Sequence, residues 1–120
     1  MRPKYISKES SPKENIFIWS YEIQIKNLGF EKVQLVFRYW NIIDGNDKPK
    51  HVQGPGVVGL QPIINPNETF TYSSFCTLIN PSGSMMGKFE FSNSEGEHFF
   101  VQIPKFDLKF PVQLAYSQEL

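Results

Sequence analysis

The sequence predicts an all-β protein, built as an antiparallel sandwich of roughly seven to eight short strands. Isoleucine, valine and the aromatic residues, which favour strands, total 36 of the 120 residues, whereas alanine, leucine and methionine total 11. Apolar and polar residues alternate with a period of two in one segment after another. Turn signals separate these segments about every 10 residues, and no stretch has the spacing of an amphipathic helix.

The first half of the chain contains the clearest alternation. Residues 1–15 are polar and predict a flexible arm or one short edge strand. Residues 16–26 place an apolar side chain at every second position, which predicts a half-buried strand that ends at a turn over residues 27–29. Residues 33–40 predict a second strand. Its faces would carry Val33, Leu35, Phe37 and Tyr39 on one side, and Gln34, Val36, Arg38 and Trp40 on the other.

The second half contains shorter segments between turns. Asp44 and Gly45 form a hairpin signal, and Pro66 and Asn67 suit the centre of a type II turn in which Asn67 has a positive φ. The predicted strands span residues 50–53, 69–73, 85–91, 98–103 and 106–110. Short strands at this spacing are typical of a sandwich of the immunoglobulin or fibronectin type III kind.

The charge balance restricts the classes of function. The chain has 12 Lys and Arg against 12 Asp and Glu, a formal net charge of zero. This balance argues against a broad nucleic-acid-binding surface and a polybasic membrane anchor, and leaves only a local patch open. No apolar run approaches the ~20 residues that span a bilayer. With a single cysteine, Cys76, and no apolar signal-peptide run, we expect a cytoplasmic protein.

The sharpest local motif is rich in glycine. Gly54, Gly56 and Gly59 have the spacing of the dinucleotide-binding fingerprint. That fingerprint needs a helix directly after the glycines, and Pro62 and Pro66 exclude one. A doubly wound nucleotide-binding domain is therefore not predicted.

Two interpretations of the glycines stay open. With Lys48 and Lys50 nearby and no acidic residue between Lys48 and Asn67, the loop could bind an anion through free backbone N–H groups. Alternatively, the glycines supply the backbone angles of a bulged connection and bind nothing, which is their commoner role in β connections.

One strand face is a candidate contact surface. Val36, Arg38 and Trp40 share a predicted face, on which Arg38 could stack on the indole or bind a carboxylate of a partner. The alternative is that other parts of the protein cover this face.

Motifs for metal binding and catalysis are lacking in the sequence. His51, His98 and Cys76 stand singly, without the spacing of a zinc site. Cys76 has no neighbouring base to activate it as a nucleophile. We therefore expect a protein that is not an enzyme and uses no cofactor or metal.

The chain resembles the ApaG family in five stretches that follow one another in order. They are YEIQIKNLG at 21–29, VQLVFRYWNIIDG at 33–45, VQGPGVVGLQPIINP at 52–66, NPSGSMMGKF at 80–89 and IPKFDL at 103–108. The resemblance implies a sandwich similar to fibronectin type III domains. It also implies a protein that stands alone in bacteria and is fused to F-box and polymerase-interacting proteins in eukaryotes.

The resemblance implies less about function. The family has been linked to cobalt and magnesium tolerance, and no catalytic activity is established for it. Its glycine motif, here Gly54, Gly56 and Gly59, has been proposed to contact pyrophosphate or nucleotide. We expect an arm or edge strand at residues 1–15, an ApaG-like sandwich domain at 16–112 and a C-terminal tail at 113–120.

The sequence and the resemblance together predict a binding module. An unidentified protein partner is the first expectation. The alternative is a small anion, pyrophosphate or nucleotide, in a role linked to divalent-cation tolerance. No nucleic-acid or membrane surface is expected, and the protein is expected to be a monomer or a weak homodimer.

Overall fold

The computed structural model describes residues 2–110, and its regular structure is almost entirely β-strand. A single 3-10 turn, Pro12–Glu14, lies between the first two strands. The strands are β1 (Arg2–Tyr5), β2 (Phe17–Lys26), β3 (Val33–Asp44), β4 (Lys50–Pro55), β5 (Ile63–Ile64), β6 (Thr69–Leu78), β7 (Gly83–Ser92) and β8 (His98–Leu108). The prediction of an all-β protein is therefore confirmed.

Two parts of the domain prediction lie outside the described residues: the end of the sandwich domain at 111–112 and the tail at 113–120. Within residues 2–110 no helix is long and apolar enough to cross a lipid bilayer.

The strands form two antiparallel sheets that pack as an open sandwich. One sheet has the order β1-β2-β6, and the other has the order β4-β3-β7-β8 with β5 paired to one end of β3. β6 pairs with β2 along its whole length, from Leu78 opposite Phe17 to Thr69 opposite Lys26. β1 pairs only with residues 19–22 of β2. The smaller sheet therefore leaves parts of the larger one uncovered.

The core between the sheets is rich in aromatic rings. Tyr21 of β2 packs edge-to-face on Trp40 of β3 with ring centroids 5.7 Å apart, and Tyr72 of β6 packs on Phe89 of β7 at 6.4 Å. Such pairs add about 0.5–1.5 kcal/mol each beyond the area that they bury. The most deeply enclosed side chains are Leu35, Val57, Ile64, Leu78, Met85 and Leu108.

A β-bulge in β3 corrects the predicted faces of that strand. Leu35 and Phe37 pair with consecutive residues of β7, so Val36 is an extra residue with no counterpart there. The alternation changes phase at the bulge. Leu35 and Trp40, predicted on opposite faces, are both buried, with exposed fractions of 0% and 4%. The prediction that Leu35 shares a face with Phe37 and Tyr39 was wrong for this reason.

A second bulge joins two predicted strands into one. Residues 98–103 and 106–108 belong to a single strand, β8, in which Pro104 and Lys105 lie opposite Met86 alone. β5 was not predicted. The turn at Pro66 and Asn67 was predicted correctly, since Asn67 has a φ of 67°.

Candidate functional site

The glycine-rich segment forms the end of β4 and the tight turn after it. The N–H groups of Val57 and Leu60 donate to each other's carbonyl oxygens at 2.8 Å, which closes a two-residue turn. Its central residues, Val58 and Gly59, have φ values of 44° and 79°. Positive φ at both positions is the type I′ geometry, which glycine adopts without steric cost.

At the other two glycines of the motif, a side chain would collide with the backbone or crowd Arg38. A Cβ on Gly56, whose φ is 59°, would lie 2.0 Å from the carbonyl oxygen of Leu60. A Cβ on Gly54 would lie 3.1 Å from both terminal nitrogens of Arg38. Gly54 therefore allows the Arg38 guanidinium to lie against the backbone of β4.

Several backbone N–H groups of the motif are already used within the protein. Those of Val57 and Leu60 close the turn, and that of Gly56 donates to the carbonyl oxygen of Val36 at 3.0 Å. These three groups are not available to an anion. Backbone shape accounts for the glycines in this geometry, and direct anion contact by them stays a prediction.

Arg38 extends from β3 toward the glycine-rich segment. Its Nη1 donates to the carbonyl oxygens of Pro55 and Gly56, both at 3.0 Å. Its hydrogen bonds to residues 2–110 all come from Nη1, and no carboxylate among those residues forms an ion pair with it. The guanidinium is thus held in place while its charge lacks an anionic partner in the described part of the chain.

Arg38 lies in a cleft between the two sheets. The cleft has a wide part of about 520 Å³ and a narrow part of about 160 Å³ beside the glycine turn. Lys48 and Lys50 line the wide part, and Tyr72 lines the narrow part. The residues that line both parts are Tyr21, Arg38, Trp40 and Ser74. The fold therefore gathers three cationic side chains that the sequence separates.

The hydroxyl of Tyr72 is a buried polar group in this cleft. The residue is 7% exposed, and its Oη has no hydrogen-bond partner within residues 2–110. Burial raises the pKa of both Tyr72 and Tyr21, and the nearby Arg38 guanidinium acts in the opposite direction. Tyr72 therefore presents a neutral, unpaired hydroxyl in the region where Arg38 presents its charge.

Asp44 also lines the wide part, and its carboxylate accepts hydrogen bonds from the backbone. It accepts hydrogen bonds from the backbone N–H groups of Ile79 at 2.8 Å and Asn80 at 2.9 Å. It thereby ties β3 to the connection between β6 and β7. Among the described residues it forms no ion pair with Lys48 or Lys50. Asp47 also lines the wide part, so two carboxylates lie near the three cationic side chains.

Cys76 also lines the wide part, but its thiol is not activated. The residue is buried, and burial raises the pKa of the thiol to about 11. A thiol with this pKa is protonated at neutral pH and is a poor nucleophile. Within residues 2–110 no group of three or more His, Cys, Asp or Glu side chains is placed to hold a metal ion.

The predicted contact face does not form an exposed surface. Trp40 is 4% exposed and packs in the core, because the bulge turns this part of β3 inward. Arg38 lies in the cleft and not on an outer face. Contact of Val36 or Arg38 with a partner stays a prediction.

Sequence reasoning missed the hydroxyl groups of the cleft. Alternation places Tyr21 and Tyr72 on apolar strand faces and gives no sign that their hydroxyls line a cleft. Ser74 carries the one usable signal, since it is a polar residue between Tyr72 and Cys76 on the inner face of β6. A polar residue on an otherwise apolar face indicates a polar contact or an opening at that position.

Comparison with known proteins gives a consistent result. A sequence model of the ApaG domain matches residues 7–93. Protein ApaG of Mesorhizobium japonicum is 46% identical over 111 residues, which is 92% of this chain and 85% of that protein. Protein ApaG of Maricaulis maris is 46% identical over 109 residues, or 91% and 84% of the two chains.

Solved structures that are similar to this one include the two that follow. The crystal structure of an ApaA protein from Bordetella pertussis has a TM-score of 0.87 and 37% identity, and the match covers 92% of this chain and 89% of that chain. The X-ray structure of the structural genomics target SoR45 has a TM-score of 0.86 and 41% identity, with 92% and 83% covered.

Proposed function

The chain belongs to the ApaG family, and from that premise we propose that it is a binding module whose inter-sheet cleft holds a small phosphate-type anion on Arg38. The family membership by itself leaves the ligand open. The single observation that carries the proposal is the Arg38 guanidinium, which two carbonyl oxygens fix within the cleft while no described carboxylate neutralises it.

The chemistry of the cleft supports an anionic ligand. A guanidinium that is already positioned loses little freedom on binding and can donate two parallel hydrogen bonds to a phosphate or carboxylate. Nη2 and Nε make no hydrogen bonds to residues 2–110 and remain for this task. The unpaired hydroxyl of Tyr72 supplies one more donor in the narrow part.

The size of the charged region favours pyrophosphate or a nucleotide over a single phosphate. Lys48 and Lys50 line the wide part of the cleft, where Asp44 and Asp47 partly offset their charge, and a second phosphate group would reach the two lysines from Arg38. In this proposal the glycines contribute through the shape of the backbone that they allow. Gly54 gives Arg38 its position and Gly56 fixes the path of the turn.

The proposal concerns binding without catalysis. Cys76, the thiol in the cleft, is held protonated by its raised pKa of about 11. Protein binding, the first expectation from the resemblance, stays a prediction. The buried position of Trp40 removes the exposed Arg38 and Trp40 pair on which that expectation partly relied.

Isothermal titration calorimetry tests the proposal. We expect pyrophosphate to give a saturable heat with one site at low ionic strength, and Arg38→Gln to weaken the affinity at least about tenfold, or ~1.4 kcal/mol. Lys32→Gln is the matched control, because it removes one positive charge from an exposed turn. Circular dichroism establishes that each variant is folded.

The absence of saturable heat from the wild-type protein with pyrophosphate, ADP and ATP would refute the proposal. Equal loss of affinity in Arg38→Gln and Lys32→Gln would also refute it, since that result indicates a general charge effect. Tyr72→Phe is a second probe that keeps the shape of the core, and we expect it to weaken binding as well.

A further inference from the structure

β6 presents an unpaired edge to the cleft. It is the last strand of the smaller sheet, and within residues 2–110 it pairs with β2 alone. It contains no proline and no charged residue, the types that usually protect an edge from further pairing. Residues 74–79, the end of β6 and the residue after it, all line the wide part of the cleft. Because side chains alternate between the faces of a strand, this unbroken run indicates that the main chain of the edge lines the cleft.

Hydrogen bonds at the two ends of β6 show which main-chain groups face the cleft. Just before β6 begins, the N–H of Asn27 donates to the carbonyl oxygen of Glu68 at 3.0 Å, so Glu68 faces the strand β2. Just after β6 ends, the N–H of Ile79 donates to the Asp44 carboxylate at 2.8 Å and faces away from β2. Main-chain groups alternate in direction along an antiparallel strand. The odd-numbered residues of β6 therefore direct their N–H and carbonyl groups away from β2.

Phe75 and Thr77 are the odd-numbered residues of β6 that line the wide part. Outside the ladder with β2, no main-chain group of either residue makes a hydrogen bond within residues 2–110. Each residue offers one N–H donor and one carbonyl acceptor along the edge. Another strand uses the donors and the acceptors alike, whereas a small anion uses only the donors. The bond from Ile79 to Asp44 closes the edge beyond Thr77, so the open section has a defined end.

The larger sheet continues across the cleft from this edge. Ile42 of β3 and Val52 of β4 line the wide part, and Val52 is 37% exposed. A strand added to β6 would cover these two apolar side chains. Ser74 and Arg38 line both parts of the cleft. In an antiparallel pair, directly opposed residues lie on the same face, so the added residue opposite Ser74 would point inward, toward the part of the cleft that holds Arg38.

The charges of the cleft favour an acidic side chain at that position. Arg38 has no ion-pair partner among residues 2–110, and its Nη2 and Nε make no hydrogen bonds there. Lys48 and Lys50 bring the cationic side chains to three, against the two carboxylates of Asp44 and Asp47. Both carboxylates already accept hydrogen bonds from the protein. A carboxylate on the added strand would therefore find Arg38 positioned and unneutralised.

We propose that the cleft binds an extended acidic peptide, which adds to β6 as an antiparallel strand and sets one carboxylate, opposite Ser74, against Arg38. In strand addition, main-chain hydrogen bonds supply affinity and side chains at alternate positions supply specificity. The proposal rests on the proposed function in one respect, since both place the anion at Arg38. Pyrophosphate and the peptide therefore exclude each other, and the small anion regulates access of the peptide to β6.

Fluorescence anisotropy tests the proposal with a fluorescein-labelled peptide of sequence TVTETVT. Its valines and its glutamate face inward when the glutamate lies opposite Ser74. We expect saturable binding to the wild-type protein. Glutamine in place of the glutamate should weaken it at least about tenfold, as should Arg38→Gln, and the two changes together should cost little more than either alone. Excess pyrophosphate should displace the bound peptide.

The edge is tested on both partners. Thr77→Pro should weaken the peptide at least about tenfold, because it removes one N–H from the free edge and leaves the ladder with β2 intact. Thr69→Pro is the matched control, since Thr69 begins β6 outside the cleft. Methylation of the main-chain nitrogen of the threonines beside the glutamate should weaken binding without any change to the protein. Methylation of the valine nitrogens, which face away from β6, should have a much smaller effect.

The outcomes separate this proposal from the proposed function. If pyrophosphate gives a saturable heat but the peptide does not bind, the strand addition is wrong and the small-anion site stands. Equal affinity for the glutamate and glutamine peptides, equal loss from the two methylated peptides, or simultaneous binding of peptide and pyrophosphate would also overturn the strand addition. A peptide that binds as expected to a protein that gives no heat with pyrophosphate would overturn the small-anion function alone.

Discussion

At Tyr72 the proposed anion binding and the stability of the ligand-free protein favour different side chains. Its hydroxyl is buried without a hydrogen-bond partner in the described part of the chain. An unpaired buried group of this kind costs about 1–3 kcal/mol. A bound anion that accepts a hydrogen bond from it would remove that cost. Local departures from good packing of polar groups are expected at functional sites.

Tyr72→Phe should therefore stabilise the ligand-free protein by about 1 kcal/mol, because it removes the unpaired hydroxyl and keeps the ring. Chemical denaturation measures the free energy of unfolding. Tyr21→Phe is the matched control, because Tyr21 lines the same cleft beside Ser74 and its hydroxyl is not one of the unpaired buried groups of residues 2–110, so its loss should not stabilise the protein. Destabilisation of both variants alike would show that Tyr72 has a partner in solution.

The strands show which features follow from sequence and which do not. Alternation located most of the strands, because burial of one face imposes a period of two. It failed at Val36, since a bulge is fixed by pairing with β7 and leaves no separate mark in the composition. It predicted a break at Pro104 where β8 continues through a bulge. The pairing of β7 with β3 and with β8 therefore fixes the two bulges, which the local alternation of residues does not predict.

The glycine turn gives a prediction about elements. Gly56→Ala should destabilise the protein by about 3 kcal/mol or more, because it adds a collision with the Leu60 carbonyl to the cost of a positive φ. Gly59→Ala should cost only about 1 kcal/mol, since Gly59 has a positive φ but nothing within 4 Å of its Cβ position. Urea denaturation measures the free energy of unfolding of the two variants. Equal costs would mean that the turn shifts to relieve the collision.

At the scale of the whole molecule, the two sheets are unequal. Within residues 2–110, three strands face five. The cleft at Arg38 opens between β6 and β4, and an apolar hollow lies beside β8. The sequence predicts one candidate anion loop, with the glycines, Lys48 and Lys50, and a separate contact face that contains Arg38. Their gathering into one cleft depends on how the sheets overlap, which no local pattern contains.

The pH dependence of stability tests the outer face of the larger sheet. Glu90 accepts hydrogen bonds from His98 at 2.6 Å and from Tyr39 at 2.8 Å, and these bonds lower its pKa below the ordinary 4.5. A carboxylate with a lowered pKa stabilises the folded state fully above its unfolded pKa. That contribution is lost as the pH falls below 4.5 and through the folded pKa.

Glu90→Gln should therefore lower the melting temperature near neutral pH, and the difference from the wild-type protein should shrink as the solution becomes more acidic. Thermal denaturation, followed by circular dichroism from neutral pH to below pH 4.5, measures the difference in melting temperature. Glu14→Gln, an exposed carboxylate in the 3-10 turn, serves as the control. A difference that stays constant with pH would contradict the assigned role of Glu90.

The bulge at Val36 also bears on how this chain can change in length. Val36 has no counterpart on β7, so its deletion would leave Leu35 and Arg38 on their present faces, whereas losing any paired residue of β3 would exchange inside and outside. The carbonyl oxygen of Val36 accepts hydrogen bonds from the N–H of Gly56 at 3.0 Å and from the Gln61 side chain at 2.9 Å. The inserted residue thus helps to anchor the glycine turn, and its deletion would remove two hydrogen bonds that hold this loop to β3.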